Sequence, residues 1–254
     1  MSRRPNPLPQ LYRWRTNLIQ IPVMAVITVA CASLSLLISI VEKDGRAQHR
    51  IAQLWARLCV VISGGRLTIR GAENLRKYSV AVYASNHTSY MDTPVIFTAL
   101  PFQFRILAMK KLWPVPFIGW YLNRSGQIPV DSASPHAALS SLGGGVKALR
   151  SGMPLFVFPE GGRTSDGELR PFLSGAAYLA IRAQVPLVAI ALSGVYDLLP
   201  IHTRHFYPGE LTMRVGEPIE TTGMTPRQTD ELTERLRNAI EALKQQEKEE
   251  RSTL

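Results

Sequence analysis

Two periods of hydrophobic and polar residues meet at Gly64-Gly65. Upstream, residues 18–41 contain no charged side chain, a run that suits the ~20 residues of a membrane-crossing helix. Gln20, Pro22, Thr28 and three serines interrupt it, which makes it an imperfect span. A second helix is expected over residues 50–63, where Ile51, Leu54, Trp55, Leu58, Val61 and Ile62 recur on one face of a 3.6-residue period. Arg50, Gln53 and Arg57 fall off that face, and the pairing of Trp with Arg suits a helix at a membrane–water boundary. Residues 11–64 therefore read as a helical hairpin dipping into one leaflet, with a single span as the alternative.

Downstream, short apolar runs of β type are expected at 67–70, 80–84, 105–108, 127–130, 155–158, 187–191 and 211–215. Helical stretches near 93–100, 135–150 and 173–182 separate several of them. This alternation predicts an α/β domain with a mixed, largely buried sheet flanked by helices, and catalytic groups on loops at strand ends. Thr225-Pro226 opens a last helix, whose Leu232, Leu236, Ile240 and Leu243 form a packing stripe. Residues 244–251 are of mixed charge and are expected to fray into solvent. The resulting organisation is 1–65 as a membrane-associated two-helix segment, 66–225 as the α/β domain, and 226–254 as an amphipathic helix with a charged tail. Removing residues 1–64 is then expected to release soluble protein.

At 254 residues the chain can bury a full core. Its formal net charge of +10 favours anionic partners. Lipid headgroups fit that charge better than nucleic acid, because the N-terminus is apolar and no nucleic-acid recognition motif is present. Cys31 and Cys59 both lie in apolar stretches, which argues against a disulfide framework. His202 and His205 have no carboxylate or cysteine at zinc-like spacing, so no metal site is expected. Arginines before the apolar run place the N-terminus in the cytoplasm, and a hairpin returns the catalytic domain to that side of the inner or plasma membrane.

The run Asn86-His87-Thr88-Ser89-Tyr90-Met91-Asp92 carries the first chemical signal. His87 follows an expected strand, where a neutral imidazole can take a proton from an attacking hydroxyl, worth ~10²–10⁴ in rate. Asp92 can hold the other ring nitrogen and stabilise the imidazolium; the alternative is that it only caps the helix beginning near Thr93. Ser89 lacks a Gly-x-Ser-x-Gly elbow, which favours direct attack by a substrate hydroxyl over an acyl-enzyme. The second signal is Phe158-Pro159-Glu160-Gly161-Gly162-Arg163. Arg163 is suited to bidentate phosphate binding and the glycines to exposing backbone N–H donors; the alternative for this run alone is a plain turn with a solvated arginine. Lys110, beside Lys111, is a further candidate for an anionic group. Gly143-Gly144-Gly145 lacks the Gly-Lys-Ser/Thr ending of a nucleotide loop.

With both runs in place, the chain resembles the 1-acylglycerol-3-phosphate acyltransferase family. His87 and Asp92 are similar to its His-x4-Asp motif, and Phe158 to Arg163 to its Phe-Pro-Glu-Gly-Thr-Arg motif. Val185-Pro186-Leu187-Val188, Pro116-Phe117-Ile118-Gly119-Trp120 and Gly126-Gln127-Ile128-Pro129-Val130-Asp131 resemble further family blocks, in order, over about 66–220. The resemblance implies transfer of an acyl group from acyl-CoA or acyl carrier protein to the free hydroxyl of lysophosphatidate, giving phosphatidate, with no metal or redox cofactor. It implies His87 as base, Asp92 as its partner, and Glu160, Gly161, Gly162 and Arg163 around the glycerol-phosphate end.

The chain departs from the family at two positions. Ser132 stands where an arginine usually follows the aspartate, and Gly162 where a threonine is usual. The first change removes a charged contact worth about 1.5–3 kcal/mol, for which Arg124 is a candidate substitute. Another lysolipid, such as a lyso-aminolipid, is therefore an alternative acceptor. From a different class, a non-catalytic membrane adaptor is a rival that the His87–Asp92 pair argues against.

Overall fold

The computed structural model describes residues 10–131, 137 and 140–253. Arg3, Arg4, Ser132 and the start of the helix expected over 135–150 lie outside the described residues. All seven expected strands are present: β1 Gly65–Arg70, β2 Val82–Ser85, β3 Arg105–Met109, β4 Ile128–Val130, β5 Leu155–Val157, β6 Leu187–Ser193 and β7 Gly209–Ile219. They form one sheet in the order β1-β7-β6-β2-β5-β3-β4. The five neighbouring strands β6, β2, β5, β3 and β4, the last at an edge of the sheet, run parallel. β7 is antiparallel to β6, and β1 lies parallel to β7. The sheet is thus mixed, and the carboxyl ends of five strands share one edge.

Successive strand residues point to opposite faces, so a near-continuous apolar strand fills two cores. On β6, Val188, Ile190 and Leu192 join the core on one face and Leu187, Ala189 and Ala191 the core on the other. Helices α3 (Arg46–Ser63) and α4 (Asp92–Ala99) cover the first face. The second is covered by α6 (Gly143–Arg150), α7 (Gly175–Ala183) and α9 (Thr229–Ser252). Gly145 has a packing reason, because a Cβ there would come within 2.8 Å of Leu179 Cδ2 and 3.2 Å of Leu155 Cδ1. The bare backbone lets α6 sit close on α7 and β5. Gly143 and Gly144 meet no such neighbour.

At the N-terminus, α1 (Gln10–Arg15), a π-helical turn (Thr16–Gln20) and α2 (Ile21–Ile38) run on from one another. The wide turn precedes Pro22, whose missing N–H and ring disfavour regular α geometry in the turn before it. Within Arg13–Ile38 an 18-residue window has a mean hydropathy of 2.4, and the helix is long and apolar enough to cross a membrane. The chain then reverses, and α3 runs back beside α2. Several polar interruptions of the apolar run find partners here. Gln20 Nε2 donates to Ile62 O at 2.5 Å, and Thr28 Oγ1 accepts from Trp55 Nε1 at 3.0 Å. These bonds tie the amino end of α2 to the carboxyl end of α3, the antiparallel pairing of a hairpin.

Two expectations change. The boundary near residue 65 does not separate two bodies, because α3 has a second face. Ala52, Ala56, Cys59 and Val60 bury themselves in the core against α4, while the larger Leu54 and Val61 stay exposed. The charged tail also does not fray. α9 continues to Ser252 because Glu247, 3% exposed, accepts from Thr212 Oγ1 at 2.7 Å, Arg251 Nε at 2.9 Å and Arg214 Nη2 at 3.0 Å. Two short helices, α5 (Ile118–Arg124) and α8 (Val195–Leu198), are not expected from sequence.

Candidate active site

β2 ends at Ser85, and the next residue, Asn86, anchors the loop that begins there. Its side chain is buried, with Nδ2 donating to Leu192 O at 3.0 Å and Oδ1 accepting from Leu192 N at 2.8 Å. This amide stitches the end of β2 to β6 and sets the direction in which the chain enters His87.

His87 Nδ1 lies 2.8 Å from Asp92 Oδ2. The same oxygen accepts the backbone N–H groups of Thr88, at 2.6 Å, and Ser89, at 2.8 Å. Asp92 is fully buried at the first position of α4, and its carboxylate turns back onto the preceding loop. It therefore does more than cap the helix. A carboxylate accepting from Nδ1 fixes the tautomer in which Nε2 carries the lone pair. Phe158, from the second motif, stacks on the imidazole with ring centroids 4.0 Å apart and an interplanar angle of 16°. The ring's tilt and tautomer are thus both held. Ser89 is buried and its hydroxyl donates to Leu199 O at 2.8 Å, which leaves it in a structural part.

The second motif is laced to the first through backbone. His87 N donates to Glu160 Oε1 at 2.7 Å, and Thr164 N donates to His87 O at 3.0 Å. Glu160 Oε2 accepts from Arg170 N at 3.0 Å. Burial pushes the Glu160 carboxyl above its ordinary range, while the N–H groups of Arg170 and His87 pull against that rise. Both oxygens accept from main chain, so the structure gives Glu160 a bracing part between the two motifs. Gly161 turns the loop with φ of +69°, a conformation that other residues rarely adopt. A Cβ on Gly162 would meet nothing within 4 Å, so packing does not exclude the family's threonine there.

Arg163 lies with Cζ 3.6 Å above the centroid of the Tyr90 ring. It is exposed and has no carboxylate partner among the described residues. Tyr90 and Phe158 received no separate role from sequence, since spacing does not reveal ring contacts across a loop. Lys110 follows β3 on the same sheet edge, where Nζ lies 3.3 Å from Oδ2 of Asp131, at the end of β4. Lys110 is therefore near the site but neutralised by the motif aspartate. Arg124 is not brought there. It ends α5, ahead of the amino end of β4 (Ile128–Val130), whereas Asp131 follows the carboxyl end of that strand. No group of three or more His, Cys, Asp or Glu with metal-binding geometry occurs among the described residues.

This constellation is an oriented base beside an arginine without a carboxylate partner, on the carboxyl edge of a largely parallel sheet. Comparison with known proteins gives it a family. A family model described as Acyltransferase matches residues 66–193. A chloroplastic 1-acyl-sn-glycerol-3-phosphate acyltransferase of Brassica napus is 31% identical over 175 residues, 67% of this chain and 50% of that protein. The 1-acyl-sn-glycerol-3-phosphate acyltransferase of Saccharomyces cerevisiae is 29% identical over 209 residues, 81% of this chain and 69% of that protein. This chain thus spans about half the length of the Brassica relative. The crystal structure of the 1-acyl-sn-glycerophosphate acyltransferase PlsC from Thermotoga maritima superposes with a TM-score of 0.77. It covers 93% of this chain and 97% of that one at 21% identity, which shows a shared fold. By the matched model and these relatives, the chain belongs to the acyltransferase family that contains the 1-acyl-sn-glycerol-3-phosphate acyltransferases.

Proposed function

We propose that the protein transfers an acyl group from a thioester, acyl-CoA or acyl carrier protein, to the free hydroxyl of lysophosphatidate and so makes phosphatidate. The observation that carries this reading is the 2.8 Å His87–Asp92 pair, which leaves Nε2 as the lone-pair nitrogen next to the loop bearing Arg163. In the reaction, Nε2 of His87 takes the hydroxyl proton as the oxygen attacks the thioester carbonyl. Asp92 stabilises the imidazolium. As the tetrahedral intermediate collapses, the C–S bond breaks and the imidazolium returns the proton to the leaving thiolate. The thioester is already activated, so the scheme uses no metal or redox cofactor.

Arg163 would bind the acceptor's phosphate through its guanidinium fork, held ready on Tyr90. Lys110 would join it only by sharing its charge with Asp131. The relatives named as acting on 1-acyl-sn-glycerol-3-phosphate support this acceptor. The hairpin would lie in one leaflet with α2 against lipid, keeping the α/β body on the cytoplasmic side. A bilayer-crossing α2 would draw the antiparallel α3, with Arg46, Arg50 and Arg57, into the hydrocarbon.

The test is transfer of labelled acyl-CoA by purified protein to a panel of lysolipids compared by kcat/KM. Lysophosphatidate is expected to lead, and His87→Ala is expected to lower turnover at least ~100-fold without loss of membrane association. A lyso-aminolipid preferred over lysophosphatidate would move the acceptor assignment. Near-normal turnover by His87→Ala would remove the base.

A further inference from the structure

One open cleft contains neither motif. It has a volume of about 590 Å³ and lies between the foot of the apolar N-terminal helix and the loop that leads into β7. Arg13 and Asn17 face it from the helix, and His202, Arg204, His205 and Tyr207 from the loop. No carboxylate lines it, and neither Arg13 nor Arg204 has an ion-pair partner among the described residues. The buried Nδ1 of His205 has no hydrogen-bond partner there either. Two guanidinium groups, two imidazoles, an amide and a phenol converging without a counter-charge are a donor set for a phosphate.

A second cleft of about 300 Å³ shares Arg13 and Asn17 with the first and is completed by Trp14 and Leu18. Trp14 is 61% exposed, at the start of the stretch long and apolar enough to cross a membrane. An exposed Trp beside Arg is the pattern of a side-chain belt at headgroup depth. The two clefts together offer a polar, cationic chamber that opens onto an apolar surface.

Sheet order separates this place from the proposed acceptor site. His87 follows β2, while Arg163 and Lys110 follow β5 and β3 on one side of it. The loop carrying His202, Arg204 and His205 joins β6 to β7 on the other.

We infer that the Arg13–Arg204–His205 cleft is a second lipid site, which takes the phosphate of an anionic membrane phospholipid while its acyl chains lie along Trp14 and Leu18. The shape decides for a lipid over a free anion, because a soluble phosphate has no use for the adjoining apolar cleft. The inference concerns binding and does not depend on the acyl-transfer reading.

Full-length protein in neutral detergent micelles would be titrated with fluorescent phosphatidylglycerol, with phosphatidylcholine, inorganic phosphate and coenzyme A as competitors. Phosphatidylglycerol is expected to bind in preference to phosphatidylcholine. The double variant Arg13→Gln/Arg204→Gln, both residues being exposed, is expected to keep its melting profile and weaken this binding at least about tenfold, while Arg163→Ala binds as the parent does. Unchanged affinity in the double variant would overturn the site. So would equal loss in Arg163→Ala, which would place the lipid at the proposed acceptor site. Inorganic phosphate or coenzyme A binding as tightly as the lipid, through the same two arginines, would overturn the lipid assignment in favour of a soluble anion.

Discussion

At the scale of single residues, the chemistry rests on which hydrogen bonds are already used. Asp92 Oδ2 holds one imidazole nitrogen and two backbone N–H groups, so the histidine is aimed before any substrate arrives. Glu160 already accepts from His87 N and Arg170 N, whereas Arg163 rests on an aromatic face. This difference separates bracing from binding. Arg163→Ala is accordingly expected to raise KM for the phosphorylated acceptor about tenfold or more, with kcat changing far less, as measured in steady-state titrations of the acceptor. A fall in kcat with KM unmoved would give the arginine a part in the chemical step instead.

At the scale of elements, α3 serves two neighbours at once. Ala52, Ala56, Cys59 and Val60 sit in the core beside α4, Trp55 bonds to Thr28 of α2, and Leu54 and Val61 face the exterior. Removing residues 1–64 therefore takes away part of the core along with the apolar helix, and soluble protein is not the expected product. Deletion of residues 1–38 is expected to leave a cooperatively folding protein with weakened membrane association, whereas deletion of 1–64 is expected to yield aggregated or unfolded chain. Flotation with lipid vesicles and circular-dichroism melts of the two truncations check this. A cooperative melt from the longer truncation would show that α3 is dispensable to the fold.

At the scale of the whole molecule, the C-terminal helix is fastened to the far sheet edge by charge. Arg70, Arg214 and Arg251 converge on Glu247, and Glu250 joins the cluster through Arg70 and Arg214. Burial alone would raise the Glu247 carboxyl, but hydrogen bonds from Thr212, Arg251 and Arg214 outweigh it and leave it below the ordinary glutamate range. A carboxyl depressed in the folded state stabilises fully above its unfolded pKa and loses that contribution as pH falls through its folded one. Glu247→Ala, which strands buried guanidinium charge, is expected to cost about 3 kcal/mol near neutrality. In denaturant melts the gap between parent and variant is expected to persist from pH 7 to 5 and to close on acidification below the ordinary value of 4.5. A gap independent of pH would assign the loss to packing alone.

Much of this was legible in the linear chain because it depends on local order. Strand alternation, the amphipathic face of α3, the capped start of the last helix and the His-x4-Asp spacing are properties of neighbours within a few residues. They located all seven strands and both halves of the site. What lay beyond reach were contacts between distant segments. Phe158 on the imidazole, Glu160 bracing His87 from 73 residues away, Gly145 beneath Leu179, and Glu247 under Arg214 are set by how strands order themselves in the sheet. Arg124 shows the converse, since closeness in sequence to a motif placed it at the wrong end of β4. Local side-chain pattern thus determined the elements and named the candidate reactive groups. The tertiary structure alone decided which charges were already neutralised and which were left to meet a ligand, because a carboxylate's partners are chosen in space and not along the chain.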